Sequence, residues 1–211
     1  DPPPAPGSTQ TRFPIVLAEG LFGFDFTGIP EDLRAGGATV FTTVVNPFST
    51  NELRAAELLT QIEAIRAQTG AQKVNLIGHS QGGLDARVIL ANRPEILASV
   101  TQLGSPNLGS PVADAALLRD DAFLQSTSST IGLFANIPPS VAQFRVALNQ
   151  LSTPGMAAFN QRFPAGLPTT ECGQGPASVN GVQLFSFGGI GVATNPGDVS
   201  DLVFTGLLFG G

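Results

Sequence analysis

Residues 78–83 read Gly78-His79-Ser80-Gln81-Gly82-Gly83, and the chemistry this hexapeptide can carry is nucleophilic attack by the Ser80 hydroxyl. Serine is a weak nucleophile at its ordinary pKa. It gains reactivity from position: exposure on a sharp turn, a base within hydrogen-bond reach, and donors for a developing oxyanion. The glycines suit such a turn, because a serine at its tip needs neighbours without Cβ atoms where strand and helix backbones crowd together. The G-x-S-x-G spacing alone is a weak signal, and its setting gives it weight. The apolar run Val74-Asn75-Leu76-Ile77 precedes it, and a helix-compatible stretch from Leu84 to Ala91 follows. The base is harder to find. His79 is the single histidine of the 211 residues, and a residue adjoining Ser80 on such a turn has poor reach back to the serine Oγ.

The elements that must position this serine alternate along the chain. Phe13-Pro14-Ile15-Val16-Leu17-Ala18, ending at Glu19-Gly20, and the β-branched run 38–45 predict buried strands. Ser49-Thr50-Asn51-Glu52 fits a capping box, after which Ala55, Leu58, Leu59, Ile62 and Ile65 recur at helical spacing until Gly70. A helix at 84–92 and a strand at 99–103 follow the serine, and the β-α-β-α-β order predicts a parallel sheet in an α/β fold. From about 110 to 152 the pattern changes to short helical pieces, broken at Ser126 to Thr130 and at Pro138-Pro139. A mobile cap over an apolar cleft and a helical insertion packed permanently on the sheet both fit it. Val182-Gln183-Leu184-Phe185-Ser186-Phe187 alternates as a late strand.

Composition narrows the classes of function. Only 12% of the residues are charged and 42% are hydrophobic, so the surface must carry many uncharged polar and apolar groups, which suits contact with an apolar phase. A net charge of −6, without clustered Lys and Arg, excludes nucleic acid as a partner. No apolar run is long enough to span a membrane, and the first residues lack the regions of a signal peptide. Residues 1–12 form a Pro-rich lead, expected as a solvated arm ahead of a single domain at 13–211; an arm exposed by processing of a secreted precursor and a plain disordered terminus both fit. Cys172 is the only cysteine; a thiol that has lost its partner and an inert buried thiol both remain open. With 15 Phe and neither Tyr nor Trp, a phenolic acid or base is excluded.

Several segments together resemble a known family. Residues 13–25 (Phe13-Pro14-Ile15-Val16-Leu17-Ala18-Glu19-Gly20-Leu21-Phe22-Gly23-Phe24-Asp25), 73–83, Gly104-Ser105-Pro106-Asn107-Leu108-Gly109-Ser110, and 171–182 are similar to secreted bacterial triacylglycerol lipases of the foldase-dependent Pseudomonas type. The likeness runs from residue 9 to about 207. It implies an α/β-hydrolase fold and hydrolysis of carboxylic esters, preferably long-chain acylglycerols at a lipid–water interface. It also implies secretion and a chaperone-like foldase as partner. Matched position by position, it makes Ser80 the nucleophile and the backbone N–H groups of Leu21 and Gln81 the oxyanion hole.

The departures from that family are equally specific. Glu19-Gly20 stands where the family has His-Gly, which places an acid near the developing oxyanion and would weaken catalysis if ionised. The aromatic segment that the family carries after Gly-Phe-Asp is shortened, since Phe24-Asp25-Phe26 runs almost directly into Thr27-Gly28. In this fold the triad acid and histidine follow the serine in chain order, yet no histidine follows residue 79. The resemblance implies that the triad pair, a second disulfide cysteine and most calcium ligands lie beyond the point matching 207–211, so one C-terminal truncation accounts for all four absences. Asp198 matches a calcium-ligand aspartate, but a hard cation wants six or more oxygens, so no metal and no cofactor is assigned. Asp198 and Asp201 are expected as loop and cap carboxylates, because an aspartate with no imidazole to orient has no role in a triad.

Overall fold

A computed structural model describes residues 4–21, 26–135, 139–170 and 173–189, with the side chains of 130–135 excepted. The elements in chain order are β1 (Ile15–Ala18), α1 (Ile29–Ala35), β2 (Val40–Thr43), α2 (Asn51–Thr69), β3 (Val74–His79), α3 (Gln81–Asn92), β4 (Leu97–Leu103), α4 (Pro111–Leu117), α5 (Asp121–Ala135), α6 (Val141–Leu151), α7 (Thr153–Arg162), β5 (Ser178–Val179) and β6 (Val182–Phe187). The sheet runs β2-β1-β3-β4-β6-β5. Every pair is parallel except the short β5–β6 hairpin. This is the parallel α/β architecture that the alternating runs predict.

Period-two alternation divides β1 between two cores. Val16 and Ala18 join the larger cluster with Leu58 and Ile62 of α2, Leu84 and Leu90 of α3, and Leu76 and Val100 of the central strands. Ile15 and Leu17 face the smaller one, with Phe26, Ala38 and Val40 beneath α1. Because both faces of β1 are covered, all four of its residues are buried, as a parallel sheet requires. Helix α2 ends where predicted, at Gly70 in the left-handed region (φ 67°).

Four local expectations shift. The N-cap of α2 is Thr50, whose Oγ1 accepts the Leu53 N–H at 3.4 Å; Glu52 ion-pairs with Arg162 instead of closing a box from Ser49. Helix α3 begins directly after Ser80 rather than at Leu84, since the two glycines there admit close packing that other residues would block. Helix α5 runs unbroken through Ser126–Thr130, and the Ser128 hydroxyl donates back to the Gln125 carbonyl at 3.1 Å, so at least one hydroxyl of that stretch is satisfied within the helix. The Pro-rich lead is anchored at its end: the Thr9 Oγ1 donates to the Leu33 carbonyl at 2.6 Å, and the Thr9 N–H to that of Gly36 at 3.2 Å.

The insertion after β4 shares the main core. Leu124, Phe144, Ala147, Leu148, Met156 and Phe159 belong to the larger cluster, Phe144 stands edge-on to Phe48, and the Ser110 N–H donates to the Leu151 carbonyl at 2.8 Å. At the centre of the sheet, Leu76 of β3 has no exposed surface. Leu76→Ala is expected to destabilise the fold by about 2–5 kcal/mol, read as a lowered midpoint in urea unfolding.

Candidate active site

Ser80 occupies the single residue between β3 and α3, with φ 52° and ψ −121°. A non-glycine residue there holds about 1–3 kcal/mol of backbone strain, and it stays only because its surroundings leave no alternative. The Ser80 N–H donates to the Leu103 carbonyl at 2.8 Å, and its own carbonyl accepts the Gly83 N–H at 3.1 Å. Close approach does the rest. A Cβ on Gly78 would stand 2.5 Å from the Gly82 carbonyl and the Gly83 nitrogen. A Cβ on Gly82 would stand 2.7 Å from the Glu19 carbonyl oxygen and closer still to that of Ala18. A Cβ on Gly20 would come within 2.8 Å of the Ser80 Cβ and 3.3 Å of its Oγ. The loop after β1, the end of β3 and the start of α3 therefore meet backbone to backbone around the serine.

That contact brings together the three residues singled out in the sequence. Ser80 tops the turn, Gln81 opens α3 beside it, and Leu21, itself buried, follows the Gly20 that packs on Ser80. Glu19 is also buried, at 5% exposure, and its backbone carbonyl oxygen lies against Gly82 in the same contact. His79 is less involved with the serine. Its ring lies 6.3 Å from that of Phe26 at 76°, and partial burial lowers its pKa, so the imidazole is neutral at pH 7. Cys172, Asp198, Asp201 and the Phe22–Asp25 segment lie outside the described residues. No group of three or more His, Cys, Asp or Glu gathers among the described residues.

Sequence reasoning missed the buried polar groups beneath the site. Arg54 of α2 is fully buried. Its Nε donates to Asp85 Oδ2 at 2.9 Å, its Nη2 to the Glu19 carbonyl at 2.8 Å, and its Nη1 to the Asn46 carbonyl at 3.1 Å. The Gln81 Nε2 donates to Asn51 Oδ1 at 2.8 Å. Arg87 of α3 donates to Asn107 and Asn160 at 3.1 and 2.9 Å and to the Phe163 carbonyl, and lies over the Phe159 ring; burial lowers it to about 10. The signal was available for one of these. Arg54 falls in register with Leu58 and Ile62, a charge on the apolar stripe of a helix, and such a charge must be paired or satisfied inside.

A groove of about 680 Å³ lies away from this site. It is lined by Ala91, Pro164, Leu167 and Val179 among others, near the far end of α3 and so about 15 Å from Ser80 at 1.5 Å per helical residue.

A parallel sheet with a strained serine between a strand and a helix defines an α/β hydrolase. Comparison with known proteins agrees: the alpha/beta hydrolase fold family matches residues 6–172. A triacylglycerol lipase of Vibrio cholerae is 40% identical over 222 aligned positions, covering 96% of this chain and 71% of the relative. One of Pseudomonas fragi is 43% identical, covering 87% and 68%. The mature Bacillus licheniformis lipase BlEst2 superposes with a TM-score of 0.66 at 21% identity, covering 100% of this chain and 77% of that one. The chain belongs to the alpha/beta hydrolase fold family and, within it, to the bacterial triacylglycerol lipases.

Two outcomes follow from this geometry. Gly82→Ala forces a Cβ into the Ala18–Glu19 backbone and is expected to cost about 1–3 kcal/mol of stability and to slow any Ser80 chemistry; denaturant unfolding and Ser80 labelling rates check both. Burial raises Asp85 from 3.8 to about 7, against the lowering pull of Arg54. The folded protein therefore holds the Asp85 proton more tightly than the unfolded chain, and this contribution to stability, full below pH 3.8, is lost as pH rises through about 7. His79, with its lowered pKa, slopes the other way below pH 6.5. The difference between wild type and Asp85→Asn in unfolding free energy across pH 4–8 isolates the Asp85 part, which is expected to vanish in the variant.

Proposed function

We propose that this chain is a carboxylic ester hydrolase of the triacylglycerol lipase kind, acting through an acyl-enzyme on Ser80. The observation that carries the reading is the strained turn at Ser80 packed against the Glu19-Gly20-Leu21 loop. In this reading the Ser80 Oγ attacks the ester carbonyl carbon while its proton passes to a base. The carbonyl oxygen becomes the oxyanion received by the Leu21 and Gln81 N–H groups, and the start of α3 adds its dipole. Collapse expels the alcohol, which takes a proton, and leaves Ser80 acylated; water then releases the carboxylic acid and restores the hydroxyl. Exposed apolar side chains, Val44, Leu53, Leu108 and Leu118 among them, suit a lipid or long-chain ester substrate at a lipid–water interface. Secretion, and folding assisted by a chaperone-like foldase, belong to the same reading through the resemblance to Pseudomonas-type lipases.

The base decides how fast this runs. His79 is the only histidine and packs against Phe26. Either a base from outside these 211 residues accepts the Ser80 proton, or turnover is limited to what an oxyanion hole and binding alone sustain, about 10³–10⁴ over water. Hydrolysis of short- and long-chain p-nitrophenyl esters by wild type and Ser80→Ala, with phosphonate-ester labelling read by intact mass, tests the proposal. Wild type is expected to exceed Ser80→Ala and to take one label on Ser80. Equal rates without a label overturn the enzymatic reading and leave a lipid-binding or scaffold role for the fold.

A further inference from the structure

Asn51 and Arg54 lie one turn apart on α2, both fully buried, and together they touch each segment that carries a donor at the site. Asn51 Oδ1 accepts from the side chain of Gln81, whose backbone N–H is one donor. Arg54 Nη2 donates to the Glu19 carbonyl, two residues before Leu21, whose N–H is the other. Through Asp85 the same guanidinium also grips α3 one turn beyond Gln81, and through the Asn46 carbonyl it fixes the loop after β2. The guanidinium is a rigid plane, so the separation between the Glu19 carbonyl and the Asp85 carboxylate is set by its fork and not by a flexible stem.

We propose that Asn51 and Arg54 are positioning residues that set the gap between the Leu21 and Gln81 N–H groups, a role that rests on the hydrolase reading above. Their cost argues against simple packing. Asn51 Nδ2, Gln81 Oε1 and Asp85 Oδ1 are buried with no hydrogen-bond partner among the described residues. A core selected for stability alone gains by replacing such groups with apolar ones of the same volume. What apolar side chains cannot do is hold two backbone segments at a fixed distance and orientation, and in a preorganised site a displacement of about 1 Å costs on the order of 100-fold in rate.

The test compares Asn51→Ala, Asn51→Asp and Arg54→Lys with wild type and Ser80→Ala. Ester hydrolysis is measured together with amide hydrogen exchange on peptides containing Leu21 or Gln81. Asn51→Ala and Arg54→Lys are expected to lower kcat by about 10- to 100-fold with KM within about twofold, and Asn51→Asp, which keeps the acceptor for Gln81, recovers most of the loss. Exchange is expected to quicken at the Gln81 peptide in Asn51→Ala and at both peptides in Arg54→Lys, while the rest of the sheet stays protected. A kcat unchanged once corrected for folded fraction, or faster exchange spread across β1, β3 and β4, overturns the proposal. If wild type shows no turnover above Ser80→Ala, the hydrolase reading fails on its own and the exchange pattern still decides whether α2 positions these segments. If Arg54→Lys does not fold, the two Asn51 variants decide it.

Discussion

Helix α3 starts one residue after β3 ends, and so abrupt a reversal is possible because backbone meets backbone on every side of Ser80. Gly78 passes Gly82, Gly82 lies against Ala18 and Glu19, and Gly20 touches Ser80 itself. Any Cβ at these points would push α3 off the sheet and open the turn. The strain at Ser80 is maintained by that packing: the residue cannot relax without moving a helix whose residues from Gln81 to Leu90 are all buried. A strained residue persists where the surrounding structure over-determines it. The rest of the fold supplies the over-determination, with β1 and β4 paired on either side of β3.

Beneath the turn lies a polar layer of a kind usually avoided in a core. Arg54, Asp85, Asn51 and Gln81 are all essentially without solvent exposure. Each is desolvated at a cost that direct hydrogen bonds only partly offset. Asp85 shows the balance: burial outweighs the Arg54 charge and raises its pKa to about 7. Arg87 makes the same point on the other side of α3, using neutral carbonyl and amide acceptors and an aromatic face in place of a carboxylate. Short directional bonds specify distances between segments in a way that apolar contacts, which are non-directional, do not.

Local periodicity made much of the fold legible. The apolar runs at β1 and β3, the i, i+3, i+4 stripe of α2 and the alternation in β6 each depend on neighbours in sequence, and each appears close to its expected place. The misreadings have local causes too. Ser126–Thr130 looks like a break until the Ser128 hydroxyl turns back to its own helix, and the two-residue strand β5 is too short to leave any period. Helix α1 has only seven residues after a glycine at φ 80°, so its capping signals are atypical.

For the site, the sequence by itself determined Ser80, its glycine neighbours and the helix behind it, because those features lie within a few residues of one another and their geometry follows from local backbone rules. The family resemblance added Leu21 and Gln81. The tertiary structure alone decided that Glu19, Asn46, Gln81 and Asp85 converge on Asn51 and Arg54 in the first turn of α2. Residues 19 and 85 are far apart in the chain, and only the parallel pairing of β2, β1 and β3 brings the segments that follow these strands to the same, C-terminal, end of the sheet. Hydrogen bonding over such separations depends on where strands pair, and no local pattern encodes that.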